Sequence, residues 1–173
     1  MRRIVTVSVL NQSGVLNRIT GLFTRRQFNI ESITVGPTEA EGISKMTFVV
    51  HVEDDRKMEQ LTKQLNKQID VLKVTDITDQ AIVIRELALI KVVSTPQTRG
   101  EIKGIIEPFR ASIVDVAKDS VTVQVAGNFE KIETIIDLLR PYGIKEISRT
   151  GITALPRGSQ KSITDLKQYT ILN

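Results

Sequence analysis

The sequence has 173 residues, 40% of them apolar and 4% aromatic, with no tryptophan and no cysteine. Its core must therefore rest on isoleucine, valine and leucine, and a disulfide framework, a thiolate metal site and a cysteine nucleophile are excluded. The 24 basic and 20 acidic residues leave a net charge of +4, spread too thinly for the concentrated basic stripe of a nucleic-acid binder, and no apolar run approaches the ~20 residues of a membrane span.

A strand is predicted over 3–10, where Arg3-Ile4-Val5-Thr6-Val7-Ser8-Val9 runs into the polar turn Asn11-Gln12-Ser13-Gly14. This strand-like start leaves no room for a secretory signal, so a cytoplasmic protein is expected, and the glycosylation pattern Asn11-Gln12-Ser13 is read as coincidence. Helix 14–26 follows, with Val15, Leu16, Ile19, Leu22 and Phe23 at helical spacing. Ser13 suits its N-cap, and Gly14 suits a tight turn. Strand 28–35 comes next, then a turn from Gly36-Pro37 to Gly42 and strand 43–52. Helix 55–67 shows Met58, Leu61 and Leu65 on one face, with Asp54 or Asp55 to cap it. Strand 69–75 closes a βαββαβ unit, the split βαβ arrangement of ferredoxin-like folds.

The same order repeats after the polar junction Thr78-Asp79-Gln80. Strand 82–94 precedes helix 98–110, whose Ile102, Ile105, Ile106 and Phe109 share a face and whose Pro108 kinks it or ends it early. Strand 112–117, the turn Lys118-Asp119-Ser120 and strand 121–126 follow, the last alternating Val121, Val123 and Val125 with smaller or polar residues. Helix 129–140 carries Ile132, Ile135, Ile136 and Leu139, Pro141-Tyr142-Gly143 breaks it, and strand 144–149 ends the unit. The fold class is thus α+β, with two ferredoxin-like domains over 1–77 and 81–157 and a flexible tail over 158–173. Four-stranded sheets with both helices on one face leave the other face and the edges bare, and units of about 75 residues are marginal alone. An oligomer is expected.

The chemistry points to binding. A polar turn at a helix N-terminus offers free N–H groups and a positive dipole end, which suit a carboxylate. No catalytic constellation accompanies it. His51 is the single histidine, lies in a strand and reads as structural; Glu39-Ala40-Glu41 sits in a loop, without the burial that acid–base work requires; glycine-rich phosphate loops are absent.

Several segments carry a resemblance. Arg2-Arg3-Ile4, Asn11-Gln12-Ser13-Gly14-Val15-Leu16, Gly21-Leu22-Phe23, Asn29-Ile30-Glu31-Ser32 and Thr34-Val35-Gly36 resemble an ACT domain, a module that binds amino acids. With Gln60–Leu65, Asp70-Val71-Leu72, Arg85–Lys91, Phe109-Arg110 and Arg149-Thr150-Gly151, residues 1–158 resemble the family of small regulatory subunits of acetohydroxyacid synthase, also called acetolactate synthase. Ser148 stands where that family often has Ala. The resemblance implies a subunit without catalysis or cofactors of its own. It would activate a large catalytic subunit carrying thiamine diphosphate, Mg2+ and FAD, and confer feedback inhibition, typically by valine, on the synthesis of valine, leucine and isoleucine. It also implies paired ACT domains, a homodimer or higher homo-oligomer, with the amino acid between them.

That ligand suits the residues. The N–H groups around Gly14, Val15 and Leu16 can take its carboxylate, the side-chain carbonyls of Asn11 and Asn29 its ammonium, and Val15, Leu16 and Ile30 a branched side chain. In the family pattern Asn29 and Ile30 face the neighbouring subunit's turn. Two alternatives are weighed: an ACT-type sensor acting on another partner, and an RNA-binding module of the same element order. The latter needs stacking aromatics on the sheet, and strand 43–52 has one while strand 3–10 has none.

Overall fold

A computed structural model describes residues 1–158; the predicted flexible tail, from residue 159 on, lies outside the described residues. The described residues divide into two compact units, residues 1–83 with 154–158, and residues 84–153. Each is a split βαβ unit, as the alternation of strand and helix patterns predicts.

In the first unit β1 (Arg2–Leu10), α1 (Val15–Arg25), β2 (Asn29–Pro37), β3 (Ile43–His51), α2 (Asp55–Asn66) and β4 (Val71–Asp76) form an antiparallel sheet of order β2-β3-β1-β4. Alternation sends Val5, Val7 and Val9 of β1 and Met46, Phe48 and Val50 of β3 to one face. There they meet Val15, Ile19, Leu22 and Phe23 of α1 and Met58, Leu61 and Leu65 of α2. Phe23 stacks on Phe48 at 4.7 Å between ring centroids. Asp54, not Asp55, caps α2 by accepting from Lys57 N at 2.8 Å; Asp55 instead pairs with Arg3. Ser13 does not cap α1. Gly14 holds the N-cap position with φ +84°, and this left-handed turn leaves Ser13 one residue too early.

The other face of this sheet is not bare, contrary to the expectation from topology. It carries the in-register row Thr34, Thr47, Thr6 and Thr75 across all four strands. Ile4, Thr6, Ser8, Thr47 and Val49 on that face are all buried.

In the second unit β5 (Ile82–Val93), α3 (Thr98–Ile106), β6 (Ser112–Val116), β7 (Ser120–Gly127), α4 (Phe129–Leu139) and β8 (Ile144–Arg149) repeat the plan, with order β6-β7-β5-β8. Its core joins Ala88, Ile90, Val92, Val121, Val123 and Val125 to the isoleucines of α3 and α4. α3 stops at Ile106, and Glu107–Phe109 form a 3-10 turn around Pro108, because proline lacks the N–H and crowds the preceding turn. Pro141 does the same after α4, within Arg140–Tyr142. A short strand that the pattern does not announce, β9 (Thr153–Pro156), pairs with β5. Beyond it, Arg157 N donates to Ala81 O at 2.7 Å. No helix among the described residues is long and apolar enough to cross a membrane.

Candidate effector site

The turn between β1 and α1 is tied down on three sides. Leu10 N donates to Asp70 O at 2.9 Å, Asn11 N to Gly42 O at 2.8 Å and Gln12 N to Leu10 O at 2.9 Å. At the far end Arg18 N donates to Gly14 O at 3.0 Å. Among the described residues none accepts from the N–H of Gly14, Leu16 or Asn17, and the first turn of α1 holds no acidic side chain. The positive end of the helix dipole and three backbone donors are thus left for an anion. Glycine suits this position on two counts. Its φ of +84° disfavours side chains, and a Cβ would lie 3.2 Å from Arg18 Nη1. That guanidinium is held beside the turn by Asp70, with Nε 2.9 Å and Nη2 2.5 Å from Oδ2.

The sequence-predicted residues fall into two groups. Asn11, Gly14 and Leu16 are exposed at the turn, while Val15 is only 3% exposed, belongs to the core and donates its N–H to Gln12 O at 3.4 Å. Asn29 and Ile30 lie elsewhere. Asn29 stands in register with His51 and, across β3, with Arg2. Leu10, next to the turn, pairs with Ile43 at the other end of the sheet. Eight residues of β1 separate these ends, roughly 26 Å at the usual strand rise. Asn29 is exposed, and Ile30 is half-buried against the core. A single chain therefore gathers Asn11, Gly14, Val15 and Leu16 and keeps Asn29 and Ile30 away from them.

Sequence reasoning missed the charged side chains around both groups. Arg18 was legible as the i+4 neighbour of Gly14, but its partner Asp70 comes from beyond α2. Beside Asn29, Glu31 is clasped by two strands. Arg2 Nε lies 3.1 and 3.0 Å from its two oxygens, Arg2 Nη2 2.8 Å from Oε1, and His51 Nε2 2.9 Å from Oε2. The hydrogen bonds from Arg2, with a smaller contribution from His51, hold the Glu31 carboxyl below the usual glutamate range despite partial burial. Among the described residues no group of three or more His, Asp or Glu side chains is arranged to hold a metal ion.

This fold, with an open glycine turn at a helix N-terminus, defines the class of ACT-type regulatory modules. Residues 5–73 match the family described as "AHAS small subunit-like ACT domain", and residues 85–158 match "Small subunit of acetolactate synthase". The acetolactate synthase small subunit of Bacillus subtilis is 68% identical over 172 residues, covering 99% of this chain and 100% of that protein. The probable acetolactate synthase small subunit of Archaeoglobus fulgidus is 50% identical over 161 residues, covering 93% of this chain and all of that one. Among solved structures, the acetolactate synthase small subunit of Thermotoga maritima superposes with a TM-score of 0.83 at 38% identity, over 92% of this chain and 99% of that one. The chain belongs to the acetolactate synthase small subunit family. It is by family a regulatory, non-catalytic subunit, acting in the control of branched-chain amino-acid biosynthesis, and membership implies a large catalytic subunit as its partner.

Proposed function

We propose that this subunit senses valine at the β1–α1 turn and relays its occupancy to the large subunit of acetolactate synthase. The open N-terminus of α1 is the observation that carries the reading. The carboxylate of the effector accepts from the free N–H groups of Gly14 and Leu16 at the turn that Val15 anchors in the core, and its ammonium is met by the side-chain carbonyls of Asn11 and Asn29. Leu16 and Ile30 line its branched side chain. Asn29 reaches such a site only from a second copy of the chain. β2 is an edge strand. Antiparallel pairing of two β2 strands would bring the Asn29 end of one to the Pro37 end of the other, the end of the sheet where that copy's turn lies. The subunit thus works as a homodimer or higher homo-oligomer, with residues 1–77 as effector module, 81–157 as second module and a cytoplasmic location. Thiamine diphosphate, Mg2+ and FAD belong to the catalytic partner.

Valine inhibition then follows from linkage. Occupancy changes how the small subunit engages its partner, a coupling of about 1–3 kcal/mol, or about 5–150-fold in affinity. The test is Gly14→Asp. Aspartate tolerates positive φ better than most residues, and its carboxylate, drawn to Arg18, fills the place of the effector's own. Reconstituted with the large subunit, the Gly14→Asp chain should still activate acetolactate formation but lose valine inhibition; normal inhibition would refute the assigned site. Calorimetric titration of the native chain with valine, leucine and isoleucine then ranks the effectors.

A further inference from the structure

The clasp around Glu31 has no role in the reading above, although it flanks Asn29. The pairing of β2 with β3 slips between Ile30 and Ser32, so Glu31 is the extra residue of a β-bulge. Bulges turn a strand and re-aim the side chains beside them. Here the bulge sits one residue past Ile30 and two past Asn29, on an edge strand whose outer side has no neighbour in the sheet. Such a strand end is free to fray unless something fixes it. Arg2 from β1 and His51 from β3 both reach across to the Glu31 carboxylate, and these two residues occupy the same row as Asn29. The side chains of Arg2 and Glu31 are about one-third exposed and that of His51 about one-half, so the pairs contribute little to global stability. Their effect is local: charge-assisted bonds from two strands to a bulged third pin its direction.

We infer that Arg2, Glu31 and His51 are positioning residues of the effector site, clamping the β2 bulge so that Asn29 and Ile30 are presented to the turn of a second chain. The inference rests on the shared valine site proposed above. None of the three touches the effector; they act by fixing the strand that does.

Valine inhibition and activation of the reconstituted synthase test it, with full-length Glu31→Ala, His51→Ala and His51→Gln chains beside Gly14→Asp. Both alanine variants should raise the valine concentration for half-inhibition by about two- to five-fold, the scale of a partly exposed ion pair, with activation of the large subunit unchanged. His51→Gln, which keeps an N–H donor, should recover most of that loss. Unchanged half-inhibition in both alanine variants, or a parallel loss of activation and inhibition, overturns the clamp. Should Glu31→Ala not fold, the exposed His51 pair decides alone: equal behaviour of His51→Ala and His51→Gln overturns it. If Gly14→Asp itself keeps normal inhibition, the shared-site reading falls and takes the clamp with it; lost inhibition in Gly14→Asp with unchanged half-inhibition in both alanine variants overturns the clamp alone.

Discussion

Arg149 shows how much one side chain can join. Its Nε and Nη2 lie 2.6 and 3.0 Å from the two carboxylate oxygens of Glu86, its Nη1 lies 2.6 Å from Glu133, and its guanidinium rests 5.6 Å from the centroid of Phe129. β8, β5 and α4 are thereby tied by one cation. The bonds it donates to Glu86, chiefly, raise its already high pKa despite partial burial, so it stays charged at every accessible pH. The Glu86 side chain is only 4% exposed, against 30% for Arg149. Arg149→Met should destabilise the protein by about 2 kcal/mol or more, below the ~3–5 of a fully buried pair because solvent reaches the arginine. The loss comes from stranding the Glu86 charge, so Glu86→Gln added to Arg149→Met should recover part of it in urea denaturation.

Among the elements, α2 offers the cleanest check on local rules. Its Asp54 cap satisfies a backbone donor that has no partner inside the helix. Asp54→Ala should lower stability by about 1 kcal/mol, visible as an earlier thermal transition with valine inhibition intact. Most elements of this kind were legible in the sequence, because the faces of α1, α2, α3 and α4 each repeat at helical period and α3 ends at its proline. What was not legible depends on distant pairing. β9 is four residues without alternation, and only β5 makes it a strand. The threonine row, buried at Thr6 and Thr47, looks polar in the sequence, and nothing local says that it is covered. The candidate site shows the same division. The turn at Asn11–Leu16 was readable as one local unit, whereas its distance from Asn29 follows from the register of β1, β3 and β2, which no local pattern encodes.

At the scale of the whole molecule, the proposed effector site makes regulation a property of the assembly. The edge of β2 bears Val35, 48% exposed, an apolar side chain that a second β2 strand would cover. Val35→Asp would place a carboxylate without a partner in that contact, and burying an unpaired charge is costly. Sedimentation of this variant should show a shift toward single chains, and valine inhibition should be lost together with the shift. A single-chain mass with full valine response would contradict the shared site.

The distance between Asn29 and Gly14 within one sheet has a genetic corollary. In a symmetric pair each pocket borrows its turn from one chain and its asparagine from the other. Combine a chain damaged at Gly14 with one damaged at Asn29, and both lesions fall in the same pocket while its twin is built wholly from intact parts. Two alleles that are each deaf to valine should therefore regain part of their hearing when co-expressed. Co-purified mixed pairs of Gly14→Asp and Asn29→Ala chains, assayed with the large subunit, should show partial inhibition where neither variant alone shows any.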